Sequence, residues 1–419
     1  MKKIYLVLLA VLGMTVTSCL MEEKDLFDKT PAERMEAYLD EYQSILTSSE
    51  NGWLLEYYAE ENQSYGGYAY VLKFTTADVT AWFQLASDVA TSVTSLYKMT
   101  PDDGPVLAFD MYNEYLHYFA TPDVSNYEAL HGDYEFRIVG KSEDGSEVYL
   151  KGRRTGNNYT LVKFSGDPAE YLNGCLAVEE SMTAPAYKIT VDGAEGVMSK
   201  SNNYIDITYQ VGEGEGATFE TASVSFCYTP EGVDFYAPVE IAGQTYTGML
   251  YNAQNSTLET EDGKVVISLV FPPLNEVLVG NAWFINADMM TGAIKTAFAN
   301  AEASISANFG MAVQYIILGP YLYGTYGLEQ MIGGYGGSLG LTYELTGEDK
   351  IKFKYNSATN QVNGSTFYNG GLRLVINQLV KNTFTVTTDN VRNPSYLLLT
   401  DDTNADNTLT LLPPEVPYK

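Results

Sequence analysis

Apolar and polar residues follow three successive rhythms along this chain. After Met1-Lys2-Lys3, a nearly unbroken apolar run covers residues 4–16 and gives way to Thr17 and Ser18 before Cys19. A helix of that length rises about 20 Å, well short of the ~30 Å hydrocarbon core of a bilayer. A basic start, a short apolar stretch and a small-residue end predict a secretory signal over residues 1–18 rather than a membrane span. The second rhythm is helical. Thr30-Pro31-Ala32-Glu33 offers an N-cap, a proline at the first helical position and a glutamate three residues past the cap. Met35, Tyr38, Leu39, Tyr42, Ile45 and Leu46 then recur on one face, and Asn51-Gly52 stops the helix.

From Trp53 the period falls to two. Strands are expected at 53–58, 68–74, 79–85, 93–97, 106–110, 115–119, 134–139, 148–151 and 159–164, separated by turns such as Tyr65-Gly66-Gly67 and Asp144-Gly145. A middle group follows at 187–191, 204–209, 224–228, 233–236, 245–251 and 265–270, with Pro272-Pro273 as its boundary. Gly212-Glu213-Gly214-Glu215-Gly216 reads as a hairpin tip within it. Beyond lie a helix over 288–308, a Tyr/Gly-rich stretch, strands at 339–345 and 351–355, a helix over 372–380, strands at 384–388 and 396–400, and a Pro-rich tail. The fold class expected is α+β, predominantly antiparallel β in sandwich or barrel-like sheets, with an N-terminal amphipathic helix and one or two helices in the C-terminal third. The chain divides into a signal (1–18), a tether (19–30), a helix plus β domain (31–175), a β segment (176–273) and an α+β segment (274–419). Asn51-Gly52-Trp53 parallels Gly280-Asn281-Ala282-Trp283, and Tyr134-Glu135-Phe136 with 148–151 parallels Tyr343-Glu344-Leu345 with 351–354. These pieces fit a distant duplication of the N-terminal unit, although short β patterns also match by chance.

Charge narrows the function classes. Lys+Arg number 24 against 53 Asp+Glu, a formal net charge of −29. Nucleic acid is excluded as a partner, since polyphosphate binding needs clustered Lys and Arg, and docking on anionic lipid through a basic patch is equally disfavoured. Val16-Thr17-Ser18-Cys19 resembles the bacterial lipobox, which implies that Cys19 is acylated and becomes the mature N-terminus. A multiply acylated cysteine holds a protein on a membrane without a spanning helix. Glu22-Glu23-Lys24-Asp25 resembles the surface-export signal of Bacteroidetes lipoproteins; the alternative is an ordinary solvated tether. The expected address is the outer membrane, lipid-anchored and facing out.

Candidate chemistry is sparse. Only His117 and His131 are histidines. With Asp110, Asp123 or Asp133 they supply zinc-ligand types without zinc-ligand spacing, and His117, alternating with Tyr115 and Phe119, reads as a packed strand residue. Gly336-Gly337-Ser338-Leu339-Gly340 has the G-x-S-x-G form, but it leads into a strand pattern with no histidine after it. Ser95-Leu96-Tyr97-Lys98 has the S-x-x-K form without its partner motifs. Residues 402–406 have a calcium-loop rhythm but lack the glycine and the twelfth-position glutamate, so calcium has no located site and no cofactor is assigned. Glu213 and Glu215 oppose a phosphate-cradle role for the glycines around them. With so many acids, a paired-carboxylate hydrolase is neither supported nor excluded. Cys175 and Cys227 are either one disulfide or two buried thiols. The positive anomaly is aromatic: 34 Tyr, 17 Phe and 3 Trp, concentrated in residues 321–327 and 333–337. Pleated sheet explains much of it. If rings stand exposed for stacking on a sugar or peptide, the candidates are Trp82, Tyr321, Tyr323, Tyr326 and Tyr335.

Asn51-Gly52-Trp53, Gly66-Gly67-Tyr68, Gly104-Pro105-Val106-Leu107-Ala108-Phe109, Asn113-x-x-Leu116-His117-Tyr118-Phe119 and Gly132-Asp133-Tyr134-Glu135-Phe136 together resemble an uncharacterised Bacteroidetes lipoprotein family defined as a domain of unknown function. The resemblance is strongest over residues 19–170. It carries over no catalytic residue, and it implies a setting beside TonB-dependent porins and SusD-like lipoproteins. The function expected is a non-enzymatic surface protein that captures a glycan or peptide. The alternatives are a carboxylate- or metal-dependent hydrolase and a structural or adhesive partner subunit.

Overall fold

The computed structural model describes residues 30–414 except 103, 123, 125–126, 213–215 and 322–324. Cys19, the tether and Tyr323 lie outside the described residues. The chain forms two compact units, one comprising residues to Met182 with Lys188–Ser268, the other Thr183–Tyr187 with Leu269 onward. No helix among the described residues is long and apolar enough to cross a membrane.

The first unit opens with α1 (Pro31–Thr47), closed by a capping box. Thr30 Oγ1 accepts from the Glu33 amide at 3.3 Å, and the Glu33 carboxyl accepts from the Thr30 amide at 2.9 Å. Nine strands follow: β1 (Trp53–Tyr58), β2 (Gly67–Phe74), β3 (Asp78–Phe83), β4 (Val93–Leu96), β5 (Lys98–Thr100), β6 (Val106–Ala108), β7 (Glu135–Lys141), β8 (Glu147–Gly152) and β9 (Asn158–Lys163). Their order is β4-β3-β2-β1-β9-β8-β7-β6-β5. Only Tyr97 separates β4 from β5, so the chain itself joins the two edges of the sheet and makes it barrel-like. Alternation puts Leu55, Tyr57, Tyr70, Leu72, Phe136 and Leu161 in the core.

A second helix, α2 (Pro168–Ser181), stands where no helix was expected. Its start repeats the chemistry of the first: Asp167 accepts from the Glu170 amide at 2.9 Å, and Pro168 occupies the first turn. Leu172, Cys175 and Val178 form a narrow buried stripe. That stripe is too thin to stand out as a helical period beside Tyr171, Gly174 and Ala177. The unit ends in a closed eight-stranded barrel of β10 (Ala186–Val191), β11 (Ala194–Ser201), β12 (Tyr204–Val211), β13 (Thr218–Thr229), β14 (Gly232–Ile241), β15 (Gln244–Asn252), β16 (Thr257–Glu259) and β17 (Val265–Val270).

The second unit is another closed barrel. After α3 (Leu274–Gly280) come β18 (Trp283–Ile285), α4 (Gly292–Phe309), β19 (Val313–Tyr321), β20 (Thr325–Ile332), β21 (Tyr335–Thr346) and β22 (Lys350–Tyr355). Then follow α5 (Val362–Phe367), α6 (Arg373–Leu379), β23 (Thr383–Thr387), β24 (Leu397–Asp401) and β25 (Asn404–Leu412). Of the Tyr/Gly-rich stretch, Tyr321, residues 325–327 and residues 335–337 are strand, and residues 404–412, ahead of the Pro-rich segment, form β25.

One of the two internal parallels has a structural counterpart. Trp53 opens β1, which pairs with β2 and with the last strand of its sheet, β9; Trp283 opens β18, which pairs with β19 and with the last strand of its barrel, β25. Each indole is buried and donates to a carbonyl of the preceding helical segment, Trp53 Nε1 to Leu46 O at 2.8 Å and Trp283 Nε1 to Leu278 O at 3.2 Å. The second parallel fails: β7–β8 are the seventh and eighth strands of nine, β21–β22 the fourth and fifth of eight. Trp53→Phe keeps most of the ring and removes one buried hydrogen bond. We expect a loss of about 1 kcal/mol, read as a lower urea midpoint at unchanged slope.

Candidate ligand-binding sites

The connection between β6 and β7, residues 109–134, corrects the expectation of a strand over 115–119. Asn113 is buried and its side chain turns the chain: Oδ1 accepts from the amides of Tyr115 (3.1 Å) and Leu116 (3.2 Å), while Nδ2 donates to Val93 O and Ser95 Oγ, both at 3.2 Å. Such side-chain bonds offer the backbone an alternative to a ladder. The Asn113 amide also reaches His117 Nδ1 at 3.2 Å and fixes that ring. His117 lies between two tyrosines, 5.5 Å from Tyr112 and 5.3 Å from Tyr134 by ring centroids. Tyr112 is 68% exposed and Tyr134 41%, so the three rings form a surface stack.

Beneath the end of this connection, buried Asp133 gathers three donors. Oδ1 accepts from the amides of Arg154 (2.6 Å) and Thr155 (3.2 Å), and Oδ2 accepts from Thr155 Oγ1; Tyr159 Oη lies 3.1 Å from Oδ2 but has its shorter bond, 2.7 Å, to Tyr58 O. Tyr57 Oη donates to the Asp133 carbonyl at 2.9 Å. The Gly132-Asp133-Tyr134 motif is thus an anchor that holds the stack against the sheet.

A second feature lies where β1 faces β14. Glu56 and Tyr58 share one face of β1, Asp234 and Tyr236 one face of β14, and the two carboxyl groups are in hydrogen-bonding contact. Burial, then the Asp234 charge, pushes Glu56 up to about 8. Burial also raises Asp234, so the pair retains a shared proton near neutrality. Tyr58 and Tyr236 meet edge to face at 4.8 Å, and Tyr236 Oη accepts from the Asn158 amide at 2.9 Å. The cleft so formed, about 620 Å³, is bounded also by Glu147, Tyr159 and Thr247; a recess of about 450 Å³ shares Asp234 and Thr247 and adds Glu231 and Glu261.

The remaining candidates fall elsewhere. Cys175 and Cys227 are buried free thiols, and burial raises both, Cys175 to about 12, which leaves no thiolate for nucleophilic work. Ser338 sits buried in mid-strand on β21 rather than at an elbow. The glycines around it serve close packing: a Cβ on Gly364 of α5 would come within 1.9 Å of Ser338 O. Asp401 is held down to about 2 by hydrogen bonds from Asn382, Asn407 and Thr403, and Asp402 pairs with Lys350, so these acids are satisfied within the protein. Among the described residues no group of three or more His, Cys, Asp and Glu is placed to hold a metal ion.

Of the expected platform, Trp82 is half-buried on β3 in the first unit. Tyr321 is half-buried and donates to Thr359 O at 3.2 Å. Tyr326 is 8% exposed and packs against Tyr343 and Phe353, which makes it a core residue and removes it from any surface platform. Tyr335 is exposed but stands opposite Ile332, six positions along β20 from Tyr326, about 20 Å away. Rings from neighbouring strands close over Tyr326 on β20, so of the described candidates in this run it is the interior one. The Tyr112 stack and the Glu56–Asp234 cleft were missed. The available signal for the cleft was the recurrence of acid–aromatic–tyrosine in Glu56-Tyr57-Tyr58 and Asp234-Phe235-Tyr236.

Fold and sites together define an antiparallel, multi-barrel β protein whose first unit carries a ring stack and an acid-lined cleft. The chain belongs to the family described as Domain of unknown function (DUF4302), whose profile matches residues 23–253 and so includes both features. No curated protein matches it. Among solved structures it is similar to the β subunit from DNA polymerase of Streptococcus pyogenes, at 8% identity over 90% of this chain and 98% of that one, with a TM-score of 0.11. The DNA polymerase III subunit beta of Borrelia burgdorferi is similar at 9% identity over 92% and 98%, also with a TM-score of 0.11. TM-scores of this size establish no common fold.

Proposed function

We propose that the protein is a surface lipoprotein, held on the outer leaflet of the outer membrane through Cys19, that captures a glycan without transforming it. Its setting is beside a TonB-dependent porin and a SusD-like lipoprotein, as the lipobox-like Val16-Thr17-Ser18-Cys19 and the family resemblance imply. The observation that carries the reading is the Tyr112–His117–Tyr134 stack: exposed ring faces on an anchored turn suit the apolar faces of sugar rings, with hydroxyls at the rim for their polar edges. A peptide with aromatic or proline residues is the other ligand of this chemistry.

The test uses soluble chain from Leu20 onward on immobilised polysaccharides and peptides, with the eluate checked for cleavage. Tyr112→Ala combined with Tyr134→Ala should cut retention at least tenfold while circular dichroism stays unchanged. Full retention by the double variant would remove the stack as the site. One observation favours chemistry instead: two carboxyls sharing a proton are the grouping of aspartic proteases. Their direct contact is too close for a glycosidase pair, which needs about 5–9.5 Å. Cleaved peptide with a bell-shaped pH profile would establish that second reading.

A further inference from the structure

We propose that the captured glycan is an acidic one, and that Arg154, positioned by His131, takes the carboxylate of a uronic acid residue beside the ring stack. The proposal rests on the reading of that stack as a glycan platform. Arg154 is an exposed side chain in the turn between β8 and β9. Its Nη2 donates to His131 Nδ1 at 2.7 Å, and no carboxylate of the described residues pairs with the guanidinium. That is anomalous in a chain with 53 acids against 24 bases. The adjacent Arg153 is engaged by Asp102 at 2.7 Å and Glu135 at 3.3 Å.

The chemistry of the pair fixes its roles. A guanidinium has no acceptor atom, so His131 Nδ1 accepts and the ring proton sits on Nε2. The guanidinium keeps its remaining N–H groups, a planar set that matches the two oxygens of a carboxylate. His131 is held in an uncommon conformation to make this contact. It has φ 56° and Ala129 φ 58°, in the left-handed region that residues other than glycine seldom take. The amides of Leu130 and Gly132, both donating to Phe119 O at 3.0 Å, hold the turn there. Arg154 is fixed from below, its amide donating to Asp133 Oδ1 at 2.6 Å. The same anchored segment carries Tyr134 of the stack three residues after His131. Their α-carbons are therefore within about 11 Å, a span of about one or two sugar rings.

The test uses the chain from Leu20 onward at about 0.15 M salt, where a Debye length of ~8 Å screens the general repulsion between a chain of charge −29 and a polyanion. Immobilised polygalacturonate, alginate and hyaluronan are compared with the same polymers after their carboxyls are reduced to alcohols. We expect retention on at least one acidic polymer and at least about tenfold less on its reduced form. Arg154→Gln should cut retention on the acidic polymer at least about tenfold and leave the weaker retention on the reduced form unchanged, which also reports intact folding. Lys295→Gln, at an exposed base on α4, makes the same change in charge and should alter neither. Retention of none of the acidic polymers, or equal retention of acidic and reduced forms, would overturn the proposal. So would equal losses from Arg154→Gln and Lys295→Gln, which mark a diffuse effect of charge. The two readings fail separately: a reduced polymer retained through Tyr112 and Tyr134 keeps the stack as a glycan site when the acidic polymers are refused.

Discussion

Asp133→Ala is expected to destabilise the first unit by about 3–5 kcal/mol, a large share of the 5–15 kcal/mol that holds a domain together. Asp133 is 2% exposed, and its carboxyl is the common acceptor for the Arg154 and Thr155 amides and the Thr155 hydroxyl. Alanine leaves these donors without their acceptor. Asp133→Asn keeps the shape and one acceptor oxygen and should cost roughly half as much. Gly152 supplies an independent check, because a Cβ there would stand 2.1 Å from Asp133 Oδ2, so Gly152→Ala should act in the same direction through crowding alone. Urea unfolding followed by circular dichroism gives the magnitudes. Hydrogen exchange across residues 109–134 should rise in all three variants, since Asp133 anchors the end of that connection. Wild-type midpoints for Asp133→Ala would show that the network is dispensable.

How far the sequence disclosed this architecture depends on how local each signal is. The cap and stripe of α1 are local, and Thr30, Pro31 and Glu33 act as their chemistry requires. Strand alternation is local too, and it anticipated an antiparallel, barrel-like β protein. Where a single side chain redirected the backbone, the pattern misled: Tyr115, His117 and Phe119 alternate like a strand, yet Asn113 captures the following amides and makes a turn. Glycine misled in the opposite sense. A glycine-rich strand brings little core of its own, and the run at Tyr326 looked exposed because Tyr343 and Phe353, which cover it, arrive from other strands. The cleft is the least local feature. Glu56 and Asp234 each look like ordinary strand acids, and only the packing of the nine-stranded sheet against the middle barrel brings them together. The same step buries Cys175 and Cys227.

That meeting of acids gives stability a pH dependence of definite sign. Groups facing Glu56 are Asp234 on β14, Tyr58 on its own strand, Cys227 on β13, and Cys175 and Tyr171 on α2; none is a base, and none lowers its proton affinity by charge. Its folded value near 8 stands above the ordinary 4.5 of the unfolded chain, so the folded state holds more protons between those limits. The contribution of Glu56 is therefore complete below about pH 4.5, declines as pH rises, and is lost by pH 8. Asp234 shifts in the same direction and adds to the slope, more weakly because it is exposed. Glu56→Gln removes the ionisation and keeps the shape. After allowance for solvent screening of the open cleft, it should stabilise the first unit by about 1–2 kcal/mol at pH 8.5 and by little or nothing at pH 5. The measurement is the difference in urea midpoint between variant and wild type across that range, which cancels the titrating groups that do not interact with Glu56 and reports Glu56 together with its partner Asp234. A difference that stays flat, or that shrinks as pH rises, would mean Glu56 is already ionised and solvated in the folded protein.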